Sequence, residues 1–125
     1  LEKAAAGMAA QHASSADIRA MEEILQASKA TREPAELARL NRAFHRAIRE
    51  ASHNRYLDSV LTQLFDTLAL LPGTSYPGRP ELAYREHCEI LAAIKARDAH
   101  KVEQLMHRHI ELAGVARIRL MFDEK

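Results

Sequence analysis

Apolar residues recur along this chain at three- and four-residue intervals, the spacing that aligns side chains on one face of an α-helix. No alternating run long enough for a strand appears. Six helices are predicted. The first covers roughly Leu1 to His12, with Leu1, Ala5, Met8 and Ala9 turned inward. Ser14 or Ser15 can N-cap the second, since a short side-chain oxygen satisfies free N–H groups there, and Asp17 adds favourable charge. Its stripe is Ile18, Met21, Ile24 and Leu25. Thr31 to Pro34 makes a break, and Pro34 suits the first turn of a third helix, where a missing N–H is not needed. That helix runs to about Ala51, with Asn54 able to take the left-handed C-cap conformation. The fourth, about Tyr56 to Leu71, carries Leu57, Val60, Leu61, Leu64, Phe65 and Leu68. Residues 72–80, holding three of the four prolines, read as the one clear loop. The fifth spans about Glu81 to Ala96, and Asp98 can cap a sixth that extends to about Phe122. The expected fold is all-α, an antiparallel bundle of about six helices forming one domain over residues 1–125.

Three of these apolar stripes run through a histidine. Leu37, Leu40, Asn41, Phe44, His45 and Ile48 form one. Tyr84, His87, Ile90, Leu91 and Ile94 form the second. Val102, Leu105, Met106, His109, Leu112, Ala113 and Ala116 form the third. Each imidazole is expected to point into one core, and neutral imidazole is the commonest protein metal ligand. A lone histidine on an apolar face is usually a packed core residue. Three on three inward faces favour a buried metal site. The remaining histidines act as an internal control. His107 shares a polar face with His100, Glu103, Gln104 and Glu111, His53 sits in a helix-ending segment, and His12 can face either way.

Asn41 precedes His45 by four residues, so both heads can reach a single ion. Its amide oxygen could equally accept a hydrogen bond from an imidazole N–H. Three neutral imidazoles and an amide oxygen leave a divalent ion's charge uncompensated, which favours an anionic ligand such as an organic acid in the open positions. Such ligands suit zinc, nickel, iron or copper rather than calcium or magnesium. Other chemistries find little support. A di-iron bundle needs inward glutamates and paired Glu-x-x-His motifs, and the only such spacing, Glu50 to His53, falls off the buried stripe. Phosphate-loop, zinc-protease and serine-hydrolase motifs are absent from the sequence. Glu86 is expected to face away from His87 and be solvated. Cys88 is expected to pack between helices, since adjacent helical residues point about 100° apart.

With 18 basic and 17 acidic residues the net charge is +1, which offers weak support for direct nucleic-acid binding. One cysteine excludes an intrachain disulfide and fits a reducing cytoplasm. No apolar stretch approaches membrane-spanning length, and the N-terminal residues do not read as a signal peptide. Starting at Leu1 within a helical pattern, the chain is expected to be a fragment of a longer protein.

Three ordered blocks carry a family resemblance. Leu40-Asn41-Arg42-Ala43-Phe44-His45-Arg46-Ala47-Ile48, continued by Ala51-Ser52-His53-Asn54-Arg55-Tyr56-Leu57, resembles the central signature of the FCD domain. The stretch from Glu86 to Asp98 is similar to its second block, and Met106-His107-Arg108-His109-Ile110 to its third. This is the C-terminal effector-binding and dimerisation domain of FadR-type regulators in the GntR superfamily. The resemblance implies a bacterial transcription factor, a homodimer that binds DNA through an N-terminal winged helix-turn-helix not included in this chain. It also implies a divalent metal, zinc or nickel foremost, held by one Asp and three His beside a small carboxylate effector. The histidines carry over to His45, His87 and His109. The Asp position carries over to Asn41, a departure from the pattern. Tyr84 and Ser52, at the margins of two stripes, are candidates to line the effector pocket. An alternative is a metal-dependent, hydrolase-like enzyme, which would need an inward carboxylate near the metal; a purely structural dimerisation module would pack the histidines without one.

Overall fold

The computed structural model of the chain describes residues 1–68 and 80–123, with side chains over 1–67 and 81–112. Six helices follow one another: α1 (Glu2–His12), α2 (Ser15–Ala30), α3 (Pro34–Ala51), α4 (Arg55–Leu68), α5 (Pro80–Lys95) and α6 (Ala99–Asp123). No strand occurs among the described residues, and none of their helices is long and apolar enough to cross a membrane. The expected loop over residues 72–80 lies outside the described residues except for Pro80, which begins α5. Residues 69–71 and the side chains of Leu68, Ala113 and Ala116 lie outside them as well.

Local chemistry fixes the helix ends. Ser14, not Ser15, caps α2 through a reciprocal box: Asp17 N–H donates to Ser14 Oγ at 3.1 Å, and Ser14 N–H donates to Asp17 Oδ2 at 2.8 Å. Pro34 takes the first turn of α3. The α3–α4 junction differs from expectation. His53, with φ of 55°, adopts the left-handed conformation, while Asn54 Oδ1 accepts from the backbone N–H groups of Tyr56 and Leu57, both at 3.1 Å. So short a connection makes one residue end α3 and the next begin α4, and the Asn oxygen serves the free donors of the second helix. The α5–α6 junction repeats the device. Arg97 has φ of 59°, and Asp98 Oδ1 accepts from Lys101 N–H at 3.1 Å. Both left-handed residues are side-chain tethered: His53 Nε2 to Asp17 Oδ2 at 2.8 Å, and Arg97 Nη1 to the Ala10 carbonyl at 3.2 Å.

Helices α2 and α3 pack as one antiparallel hairpin, and α5 and α6 as another. Helix α1 runs antiparallel to α6 and alongside α3. Met21, Phe44, Ile48, Ile90, Ile94, Val102 and Met106 form the fully buried centre. Helix α1 contributes Ala6, Ala9 and Ala10, whose small side chains admit neighbouring backbones closely. At Gly7 a Cβ would come within 2.5 Å of Glu103 Oε1, so a larger residue there would require the Glu103 side chain to move.

Two inward faces differ from expectation. In α1, Leu1 is 64% exposed and Met8 half-buried, whereas Glu2 is only 7% exposed. Leu1 caps the helix from outside, and a run of alanines gives little contrast by which its facing could be read. In α4, Leu61 is buried, yet Val60 and Leu64 are exposed, because this helix packs mainly on α3 along one narrow line.

Candidate metal centre

The amphipathic patterns of α3, α5 and α6 carry His45, His87 and His109 inward, and the three imidazoles meet. His87 and His109 are buried, and His45 is nearly so. His109 Nε2 lies 3.2 Å from His87 Nε2 and 3.3 Å from His45 Nε2. One nitrogen from each ring falls within 4.8 Å of the others. An ion about 2.0–2.1 Å from each of three nitrogens places neighbouring ones about 2.8–3.4 Å apart, across octahedral to tetrahedral angles. The two measured separations lie in that range. The three histidines are close enough together to hold a metal ion.

The surroundings of His87 and His109 favour their neutral forms. Burial pushes the His87 pKa well below the ordinary histidine value, and the neighbouring His45 and His109 push it further. Burial and His45 also lower His109, against an opposing pull from Glu86. Neutral rings offer lone pairs, which is what a cation requires. Phe44, immediately before His45 in α3, stacks on His87 with ring centroids 4.4 Å apart at 21°. Phe65 of α4 approaches His45, centroid to centroid, at 6.4 Å.

Asn41 stands one turn before His45. Its Oδ1 is buried and accepts no hydrogen bond from the described residues. A buried acceptor without a donor is costly, and a cation is one partner that would satisfy it.

Two carboxylates stand behind the rings. Glu86 Oε1 lies 2.9 Å from His109 Nδ1, and Glu2 Oε1 lies 3.5 Å from His45 Nδ1. The expectation that Glu86 is solvated is therefore corrected: its side chain is 18% exposed and faces α6. In an antiparallel hairpin the position beside the inward one points at the neighbouring helix. Glu86 thus reaches the far nitrogen of the third histidine rather than His87. Glu2 was missed altogether. A polar residue three and four positions before the buried Ala5 and Ala6 was its only sequence signal.

The remaining candidates have other partners. The Cys88 thiol one turn away and burial together raise the Tyr84 pKa. Cys88 and Tyr84 both pack against the core. Ser52 is buried, donates to the Arg49 carbonyl at 2.6 Å and accepts from Asn54 N–H at 3.3 Å, closing the end of α3. His12, His53, His100 and His107 are all exposed, as the polar face of α6 anticipates for His100 and His107.

The all-α bundle with a buried histidine trio has a family counterpart. Residues 1–112 match the FCD domain, and the chain belongs to that family. The chain is also 32% identical over 79 residues to the uncharacterized HTH-type transcriptional regulator YdhC of Bacillus subtilis (strain 168). That match takes in 62% of this chain and 35% of the relative, so the chain corresponds to about a third of the relative's length.

Proposed function

We propose that residues 1–125 form the effector-sensing and dimerisation domain of a GntR/FadR-type bacterial transcriptional regulator working in the cytoplasm. In this reading Asn41, His45, His87 and His109 hold a divalent transition metal, zinc or nickel foremost, and a small carboxylate binds beside it. The observation that carries the reading is the convergence of three buried imidazole nitrogens, with an unpartnered amide oxygen one turn away. A bound ion supplies a Lewis-acidic point to which a carboxylate oxygen can attach. Arg49, buried one turn beyond His45, adds positive charge on the same face of α3, although Asp58 pairs with it at 3.5 Å. Effector contacts from Tyr84 and Ser52 would require both to exchange their present partners.

Effector binding would shift the homodimer between arrangements of its N-terminal winged helix-turn-helix domains and so change operator affinity. A hydrolytic reading needs a carboxylate beside the open coordination position. Glu86 and Glu2 lie at the Nδ1 side of their rings, opposite the converging nitrogens, where they serve the imidazoles rather than a bound water. Metal content by mass spectrometry of untagged wild type and His87→Ala is the direct test. Near-stoichiometric zinc or nickel, lost in the variant, is expected. A regulator whose DNA affinity ignores every carboxylate that binds the bundle would sink the sensor reading.

A further inference from the structure

We infer that Glu2 and Glu86 are outer-sphere positioning residues of this centre, supplying from behind two imidazoles the negative charge that Asn41 does not bring. The inference rests on the metal reading above. A neutral imidazole that offers its Nε2 lone pair must carry its proton on Nδ1. At His109 that nitrogen faces Glu86 Oε1 at 2.9 Å, a good hydrogen bond. At His45 it faces Glu2 Oε1 at 3.5 Å, and both atoms are buried without a hydrogen-bond partner among the described residues. Two orphaned atoms, one able to donate and one able to accept, thus stand opposed across a short gap. Loading Nε2 fixes the donor on the correct nitrogen and gives the pair reason to close.

The charge is also of the right sign. Three neutral imidazoles and an amide contribute nothing to offset a divalent ion, and the two carboxylates place negative charge behind two of the rings. Glu2 is 7% exposed, and a carboxylate so buried is unfavourable without a compensating positive charge. The anionic character that an Asp ligand would place in contact with the ion is moved one ring outward and divided between α1 and α5. Such outer carboxylates orient the ring and make the ligating nitrogen more basic.

Glu2→Gln and Glu86→Gln keep the size and an acceptor oxygen while removing the charge. Zinc affinity of the full chain, measured against a competing chelator, is expected to fall about tenfold or more in each. The visible spectrum of the cobalt-loaded protein should keep its nitrogen-ligand character. Melting of the metal-free Glu2→Gln variant should stay at or above wild type, since a buried charge is removed there. In an Asn41→Asp background the same substitutions should weaken binding less, because the charge then sits on the ion itself. Unchanged affinity in both Gln variants, with wild type binding zinc, would overturn the inference. So would affinity falling only in step with lost helicity of the metal-free variants, which would make the carboxylates packing elements. A folded wild type that takes up neither zinc, nickel nor cobalt would instead remove the metal reading itself, and the inference with it.

Discussion

Phe44 and His87 lie face to face, 4.4 Å between ring centroids, although they belong to helices α3 and α5. Phe44 is fully buried, so it both fills the core and sets the plane of an imidazole. Replacing it with Ala is expected to destabilise the domain by about 3–5 kcal/mol through lost burial and the cavity left behind. Chemical denaturation measures this. The same variant should lose metal affinity even where it remains folded, because His87 regains rotational freedom; an unchanged affinity would show that the stacking does not orient the ring.

Asn41→Asp is expected to act in opposite directions with and without metal. A carboxylate at this buried, unpartnered position should lower the melting temperature of the metal-free domain. With zinc or nickel present, it should raise affinity by about tenfold, roughly 1.4 kcal/mol. Parallel melting curves with chelator and with added ion read both effects, and a variant destabilised under both conditions would speak against Asn41 as a ligand position.

The metal-free domain should lose stability as the pH falls. His87 and His109 are held below the ordinary value of about 6.5, His87 by burial and then by its two neighbours. Below that pH the unfolded chain takes up protons that the folded chain refuses, so stability rises with pH across the interval. It is fully present above about 6.5 and is lost as the pH falls towards the depressed folded-state values. Melting temperatures at several pH values between about 7.5 and 5 should trace this fall, and His87→Gln should flatten it. A pH-independent melting temperature in the metal-free wild type would contradict the burial assigned to these rings.

Ser14→Ala removes the oxygen that accepts from Asp17 N–H. A loss of about 1 kcal/mol is expected from the cap alone. Because Asp17 also holds His53 in its left-handed conformation, the α3–α4 turn should loosen with it. Amide exchange at Asn54 and Arg55 is the readout, and exchange that stays at wild-type rates there would separate the cap from the turn.

The three histidines could be read from the sequence because each interrupts a strongly periodic apolar stripe, so helical geometry alone turns it inward. The helix boundaries were legible for a similar reason, since Ser14, Pro34 and Asp98 satisfy or forgo free N–H groups. Asn54 has chemistry that suits either helix end; only the three-residue connection between α3 and α4 gives the left-handed position to His53. Glu2 and Glu86 could not be found in this way. Their roles depend on which helix lies across from them, and spacing within a helix says nothing about its neighbour.

His45, His87 and His109 lie far apart along the chain, the outer two by 64 positions, yet their ring nitrogens nearly touch. An ion shared among them would tie α3, α5 and α6 into a single opening unit. None of the three could then fray on its own without first releasing the ion. Amide exchange across these helices, scattered over many rates in the metal-free domain, should converge on one slow rate when metal is added. Metal supply would then govern how the domain breathes as well as what it binds.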